Sequence, residues 1–231
     1  MPAAPAEFFT DPLSPWGWAA QPTLRRLRVE FDDLTLVPRT TVVLPDTSRS
    51  AWLPPNVEDA SALPSVWRDV AASTGMPVTS TLWEDGVPTG SRDACAAVAS
   101  VRETAPGSAL PFLRRVREAV FVEGRRMDDA AELAAAARDV EGVDPDALRR
   151  ALGDGRAAAA LEDDLTRAVD VGSELPSVEV RGTVGTLPAT PRLDPARAER
   201  DGEDGDAGDN EAGGGAANAD GDGGDADGGA E

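Results

Sequence analysis

The chain has no lysine, no histidine and no tyrosine, and a single cysteine in 231 residues. Each absence closes off a chemistry. Without histidine there is no Ser-His-Asp triad and no Cys-His pair. One thiol, Cys95, excludes an internal disulfide and a cysteine-based zinc cage, so no metal is expected. Basic charge is scarce. All 22 basic residues are arginine, and they face 42 Asp and Glu. A surface of that sign repels nucleic-acid phosphate, so no nucleic-acid role is expected. No apolar run approaches the roughly twenty residues of a membrane helix. The N-terminus lacks the basic region and apolar stretch of a secretory signal. The expected setting is cytoplasmic, with no membrane contact. An acidic surface free of lysine fits a halophilic, salt-rich cytoplasm, where screening shortens self-repulsion to a few ångströms. Codon bias in a GC-rich genome would leave the same composition.

What is present divides the chain in two. Residues 1–192 hold the bulky apolar side chains. After Leu193 the chain is mostly Asp, Gly, Ala and Glu, and Leu193–Glu231 carries thirteen acids against two arginines. Such a segment cannot bury enough surface to offset its conformational entropy, so a disordered acidic tail is expected over 193–231. Its near-repeat at 220–225 lacks the ligand spacing and closing glutamate of an EF-hand.

Residues 6–11 read as a short buried strand. Ser14 is a good N-cap and Pro15 a good first helical residue. One helix should then run to about residue 29, with Trp16, Ala20, Leu24, Leu27 and Phe31 on a buried face. Residues 34–44 read as a second strand, and Pro38 within it marks an edge or a bulge. Helices follow at about 63–74, 92–105, 108–122, 128–140, 144–152 and 156–171. Asp144-Pro145 starts one of them, and Gly153 with Gly155 should stop it. Val178 and Val180 alternate in a strand at 176–181. The fold class is α/β with an all-helical insertion at about 63–170.

The segment from Phe8 to Trp18 reads Phe-Phe-Thr-Asp-Pro-Leu-Ser-Pro-Trp-Gly-Trp. It resembles the first strand and active-site turn of a DsbA-like thioredoxin domain, in which Asp-Pro-Leu precedes Cys-Pro-x-Cys. Ser14 and Gly17 stand at the two cysteine positions. Further matches follow in order: Trp67, then Met76-Pro77, Leu82-Trp83, Ala94-Cys95, and the run from Phe112 to Arg125. Leu175-Pro176 falls where such a fold carries its cis-proline loop. The pattern is similar to the dithiol–disulfide isomerase type with a helical insertion, and it implies a thioredoxin-like domain over 1–192.

Thiol–disulfide exchange needs an attacking thiolate and a second sulfur to resolve the mixed disulfide. Ser14 and Gly17 supply neither. The resemblance therefore implies a scaffold without dithiol redox activity and without a cofactor. It would bind a peptide or protein partner in a vestigial groove of Pro15, Trp16, Gly17, Trp18, Leu175 and Pro176. A protease adaptor is one form of this.

Whether the chain is an enzyme stays open, because Asp11 to Trp16 also spells Asp-x-x-Ser-Pro-aromatic. That motif is similar to one in kappa-class glutathione transferases and 2-hydroxychromene-2-carboxylate isomerases. It implies a catalytic Ser14 whose hydroxyl stabilises the thiolate of glutathione or a related small thiol. Capping alone accounts for Ser14, and that reading is preferred. Cys95 has two readings. It is a small buried hydrophobe in an alanine-rich helix, or a thiol made reactive by a helix start and Arg92. The first is preferred. The five tryptophans read as core anchors or as the lining of an apolar groove. No carboxylate pair stands out as a general acid and base.

Overall fold

The computed structural model describes residues 4–31, 34–49, 53, 57–172, 176–180 and 183–186. Trp52, Leu175 and the acidic tail lie outside the described residues. Strand β1 (Ala4–Thr10) leads through a tight turn into α1 (Pro15–Ala19) and α2 (Gln21–Glu30), and the chain returns in β2 (Leu34–Thr40). β1 and β2 are parallel, with Phe8 opposite Pro38. After the helices, β3 (Ser177–Val180) pairs antiparallel with the other side of β1, and β4 (Thr183–Thr186) pairs antiparallel with β3. The sheet order β2-β1-β3-β4 is the thioredoxin-like arrangement expected above. It leaves β2 at an edge, where a proline is tolerated.

β2 stops at Thr40, short of the expected residue 44. Thr41 N–H still donates to the Thr10 carbonyl of β1 at 2.9 Å, while the N–H groups of Thr40 and Val43 go to carboxylates. Thr40 N–H donates to Asp164 Oδ2 at 2.9 Å, and Val43 N–H to Asp11 Oδ2 at 2.7 Å. β4 was not anticipated, since its Thr-Val-Gly-Thr stretch is short and carries a glycine.

The insertion contains α3 (Leu63–Thr74), α4 (Arg92–Thr104), α5 (Ala109–Phe121), α6 (Ala130–Ala137), α7 (Pro145–Asp154) and α8 (Arg156–Val171). These lie close to the expected bounds because their ends are punctuated locally. Asp129 and Asp144 accept hydrogen bonds from the first free N–H groups of α6 and α7. Gly155, at φ 86°, closes α7 in the left-handed conformation that glycine adopts without strain. Gly153 lies inside α7 and does not stop it.

The helix expected over 15–29 is two helices, and this corrects the sequence reading. The chain breaks at Ala20, two residues before Pro22, which has no N–H to give to the turn before it. The expected apolar stripe does not survive the break. Ala20 and Leu24 are buried, but Trp16 is 46% and Phe31 54% exposed.

The core joins the two parts. Phe8, Leu13 and Leu24 pack with Trp67, Phe112, Leu113, Val116 and Phe121 in one cluster. Trp18 stacks on Phe121, with ring centroids 5.6 Å apart and planes 4° from parallel. Trp67 Nε1 donates to the carbonyl of Leu13 at 2.6 Å. Trp18, Trp67 and Trp83 are thus buried anchors. A second cluster of Cys95, Ala99, Ala157 and Leu161 seats α4 on α8. Buried Asp164 ties α8 to the sheet by accepting from Arg39, Arg102 and the main chain of Thr40.

Candidate functional site

The turn between β1 and α1 is organised by a carboxylate. Asp11 is fully buried. Its Oδ1 accepts from Leu13 N–H at 2.6 Å, which shapes the turn itself. Its Oδ2 accepts from Val43 N–H at 2.7 Å and from the hydroxyl of Ser91, the residue that precedes α4. One side chain therefore stitches the turn to the segment after β2 and to the start of α4. Burial pushes the Asp11 carboxyl above its ordinary range, against the pull of these donors and of Arg117.

Ser14 follows with extended dihedrals, φ −73° and ψ 124°, and its Oγ accepts from Gly17 N–H at 3.2 Å. Pro15 is the first residue of α1, so the N-cap geometry is the expected one. Ser14 is only 6% exposed. Pro15, Gly17, Trp18 and Pro176 are buried as well, while Trp16 projects into solvent. Leu175 lies outside the described residues.

Gly17 is the residue that the sequence resemblance sets against a second sulfur, and the space a side chain would need there is occupied. A Cβ built there would lie 2.5 Å from Arg117 Nη2, 2.6 Å from Thr10 Oγ1 and 3.2 Å from the Asp11 carbonyl. Real Cβ atoms essentially never approach other heavy atoms as closely as the first two distances, and the third is tight.

Arg117, on α5, is completely buried. Its Nη2 donates to Thr10 Oγ1 and, at 3.3 Å, to the Asp11 carbonyl. Its guanidinium carbon sits 5.7 Å from the centre of the Phe8 ring. Among the described residues, Nε and Nη1 have no hydrogen-bond partner. Burial draws its pKa down to about 9, with the negative charge of Asp11 opposing the shift.

Cys95 lies in the same buried neighbourhood. Its thiol reaches the carbonyl of Thr41 at 3.6 Å and has no exposure. Burial, and then the nearby Asp11 charge, push the thiol well above its ordinary pKa. That is the opposite of the environment that makes a cysteine reactive. Ellman's reagent is therefore expected to leave native Cys95 untouched and to titrate one thiol only after unfolding. Fast labelling of the native protein would contradict this.

The sequence reading named Ser14, Gly17 and Cys95 but missed Asp11, Ser91 and Arg117 as parts of one cluster. A signal existed for Arg117. It lies four residues after Leu113 and three before Val120, so it interrupts the buried stripe of α5.

Sheet order, helical insertion and capped turn define a thioredoxin-fold domain with inserted helices. Residues 6–183 match the DSBA-like thioredoxin domain, and the chain belongs to that family. It is similar to the ClpXP adapter protein SpxH of Halalkalibacterium halodurans, at 26% identity over 174 residues, covering 72% of this chain and 56% of that protein. SpxH of Bacillus licheniformis is 25% identical over 175 residues, covering 74% and 55%. The chain thus spans little more than half the length of these curated relatives. Among solved structures it is similar to the cytosolic disulfide reductase DsbM of Pseudomonas aeruginosa, with TM-score 0.61, 21% identity and coverage of 86% and 98%. It also resembles 2-hydroxychromene-2-carboxylate isomerase, with TM-score 0.58, 19% identity and coverage of 79% and 88%. These two share the fold. No helix among the described residues is long and apolar enough to cross a membrane.

Proposed function

We propose that this chain is a partner-binding member of the DSBA-like family that performs no dithiol exchange and works in the cytoplasm. The observation that carries this reading is at Gly17. The turn has no side chain at the position that the family resemblance sets against a second sulfur, and a Cβ built there would lie 2.5 Å from Arg117 Nη2. A turn held by buried hydrogen bonds can still present a binding surface beside exposed Trp16. Similarity to ClpXP adapter proteins supports a protein partner. Delivery of a substrate to a ClpXP-type protease is one form of it. Two measurements test the reading. The purified protein is expected to reduce insulin no faster than background, with or without Cys95→Ser. It is expected to bind ClpX in equilibrium titration, and this binding is expected to weaken with Trp16→Ser. Insulin reduction that survives Cys95→Ser would overturn the loss of redox function.

A second reading rests on the Ser14 hydroxyl. It accepts from Gly17 but has no acceptor for its own proton among the described residues. It could donate to the thiolate of glutathione or a related small thiol. The two readings part on substitution. As a cap only, Ser14→Ala costs about 0.5–2 kcal/mol and Ser14→Asp recovers most of it. As a thiolate site, both substitutions abolish small-thiol binding in titration calorimetry, since Asp repels the anion. The expected result is a cap effect with no thiol binding by the parent protein.

A further inference from the structure

A groove of about 560 Å³ lies between α2 and the start of α5. Trp18, Leu24, Met76 and Leu110 give it an apolar lining, and Arg25, Arg28 and Arg114 line it as well. No Asp or Glu is among its lining residues. That is unusual in a chain with nearly two acids for every arginine. Arg26, on the same helix, is paired with Glu30 at 2.7 Å, and Arg114 with Glu118 at 2.7 Å. Arg25 and Arg28 are exposed and form no ion pair among the described residues. The groove has a neighbour of about 350 Å³ that shares Arg28, Leu110 and Pro111 and runs beside residues 34–38 of edge strand β2. The surface is therefore elongated, apolar and positively charged on a strongly acidic protein.

We propose that this groove docks an acidic segment of a partner protein. An apolar side chain of that segment would rest among Met76, Leu110 and Pro111, over a floor of buried Trp18 and Leu24, with carboxylates against Arg25, Arg28 and Arg114. Charge complementarity selects the occupant. The overall net charge of −20 repels an acidic partner in general, so local attraction at the groove biases where it lands. An apolar centre with a charged rim is also the usual anatomy of a protein-binding patch. The proposal rests on the partner-binding reading and gives that partner its chemistry. It differs in place from the active-site turn, contributing only Trp18 from the residues expected to line the vestigial groove.

The test uses the full chain and fluorescein-labelled peptides that alternate an acidic or basic residue with leucine. The glutamate–leucine peptide is expected to bind by fluorescence polarisation, and the lysine–leucine peptide is not. Arg25→Glu with Arg28→Glu should weaken binding by about tenfold or more, while Arg25→Lys with Arg28→Lys retains most of it. Both pairs are on an exposed helix face, so circular dichroism should be unchanged. Binding should also fall as salt rises from about 0.05 M to about 0.5 M. Equal binding of the two peptides, unchanged binding in the glutamate pair, or binding of a short single-stranded DNA at the same residues would overturn the assignment. ClpX titration on the same variants separates the two proposals. Lost ClpX binding in Trp16→Ser, with unaltered binding of ClpX and peptide in the glutamate pair, overturns the groove and leaves a partner at the turn. ClpX that binds no variant, with peptide binding retained and charge-dependent, sinks the adapter reading and leaves the groove standing.

Discussion

Placing two cysteines in the turn, by Ser14→Cys with Gly17→Cys in a Cys95→Ser background, is expected to give a destabilised protein with no working dithiol couple. The obstacle is steric and local. The new Cβ at position 17 would meet Arg117 Nη2 at 2.5 Å and Thr10 Oγ1 at 2.6 Å. The arginine can yield only by giving up its bonds to Thr10 Oγ1 and the Asp11 carbonyl. It has no exposed surface through which to swing into water. Overpacking together with the broken buried hydrogen bonds should cost about 2–4 kcal/mol. Gly17→Ala alone carries most of that, because the clash begins at Cβ. Adding Arg117→Met removes the obstructing nitrogen and two donors, Nε and Nη1, that have no partner among the described residues. Its effect should be strongly non-additive with Gly17→Ala, which a double-mutant cycle in urea would read directly. The idea that Arg117 closes the site would be sunk by a Ser14→Cys, Gly17→Cys protein of parental stability that forms a reversible disulfide.

How far the sequence reveals this site follows from the distance over which each interaction acts. Caps such as Asp129 and Asp144 act across two or three residues, and their side chains are read directly from order along the chain. Ser14 belongs to the same class, with its partner Gly17 three residues away. The family spelling at 8–18 added the sheet that follows from it. Ala20 shows the first kind of failure. Residues 16, 20, 24, 27 and 31 satisfy helical spacing, yet Pro22 breaks the ladder and rotates the two ends out of register. Trp16 then reaches solvent. Arg117 shows the second kind. Its bond to Thr10 spans 107 residues, and the Ser91 bond to Asp11 spans 80. No local periodicity encodes either of them. An arginine inside the apolar stripe of α5 signals a buried charge, but nothing in the sequence says that its counterpart lies under the first strand.

Asp11→Ala is expected to be among the most damaging single substitutions in the chain, at about 3–5 kcal/mol. It strips the acceptor from the N–H groups of Leu13 and Val43 and from the Ser91 hydroxyl, all in a buried setting. It also removes the negative charge that offsets buried Arg117. Asp11→Asn keeps the shape but offers one acceptor oxygen where two are used. Either amide orientation sets its NH2 against a main-chain N–H, so about 1–3 kcal/mol should still be lost. The pH dependence of that difference tests the electrostatics. Burial raises the Asp11 pKa in the folded chain above the ordinary carboxylate value of 3.8. Between the two values the folded state holds the proton more tightly than the unfolded state. The parent's stability from this residue is therefore greatest below about pH 4 and declines as pH rises through the folded pKa. Asn does not titrate, and the other carboxylates cancel between the two proteins. The advantage of Asp11 over Asn should thus be larger at about pH 3 than at about pH 7. Ser91 makes the protonated form tolerable, because its hydroxyl can accept from the acid and turn its own proton toward the Leu44 carbonyl, 3.4 Å away. Urea denaturation of both proteins across this range gives the answer. An advantage that grows with pH would mean that the three donors outweigh burial, and that Asp11 is held in the turn as an anion.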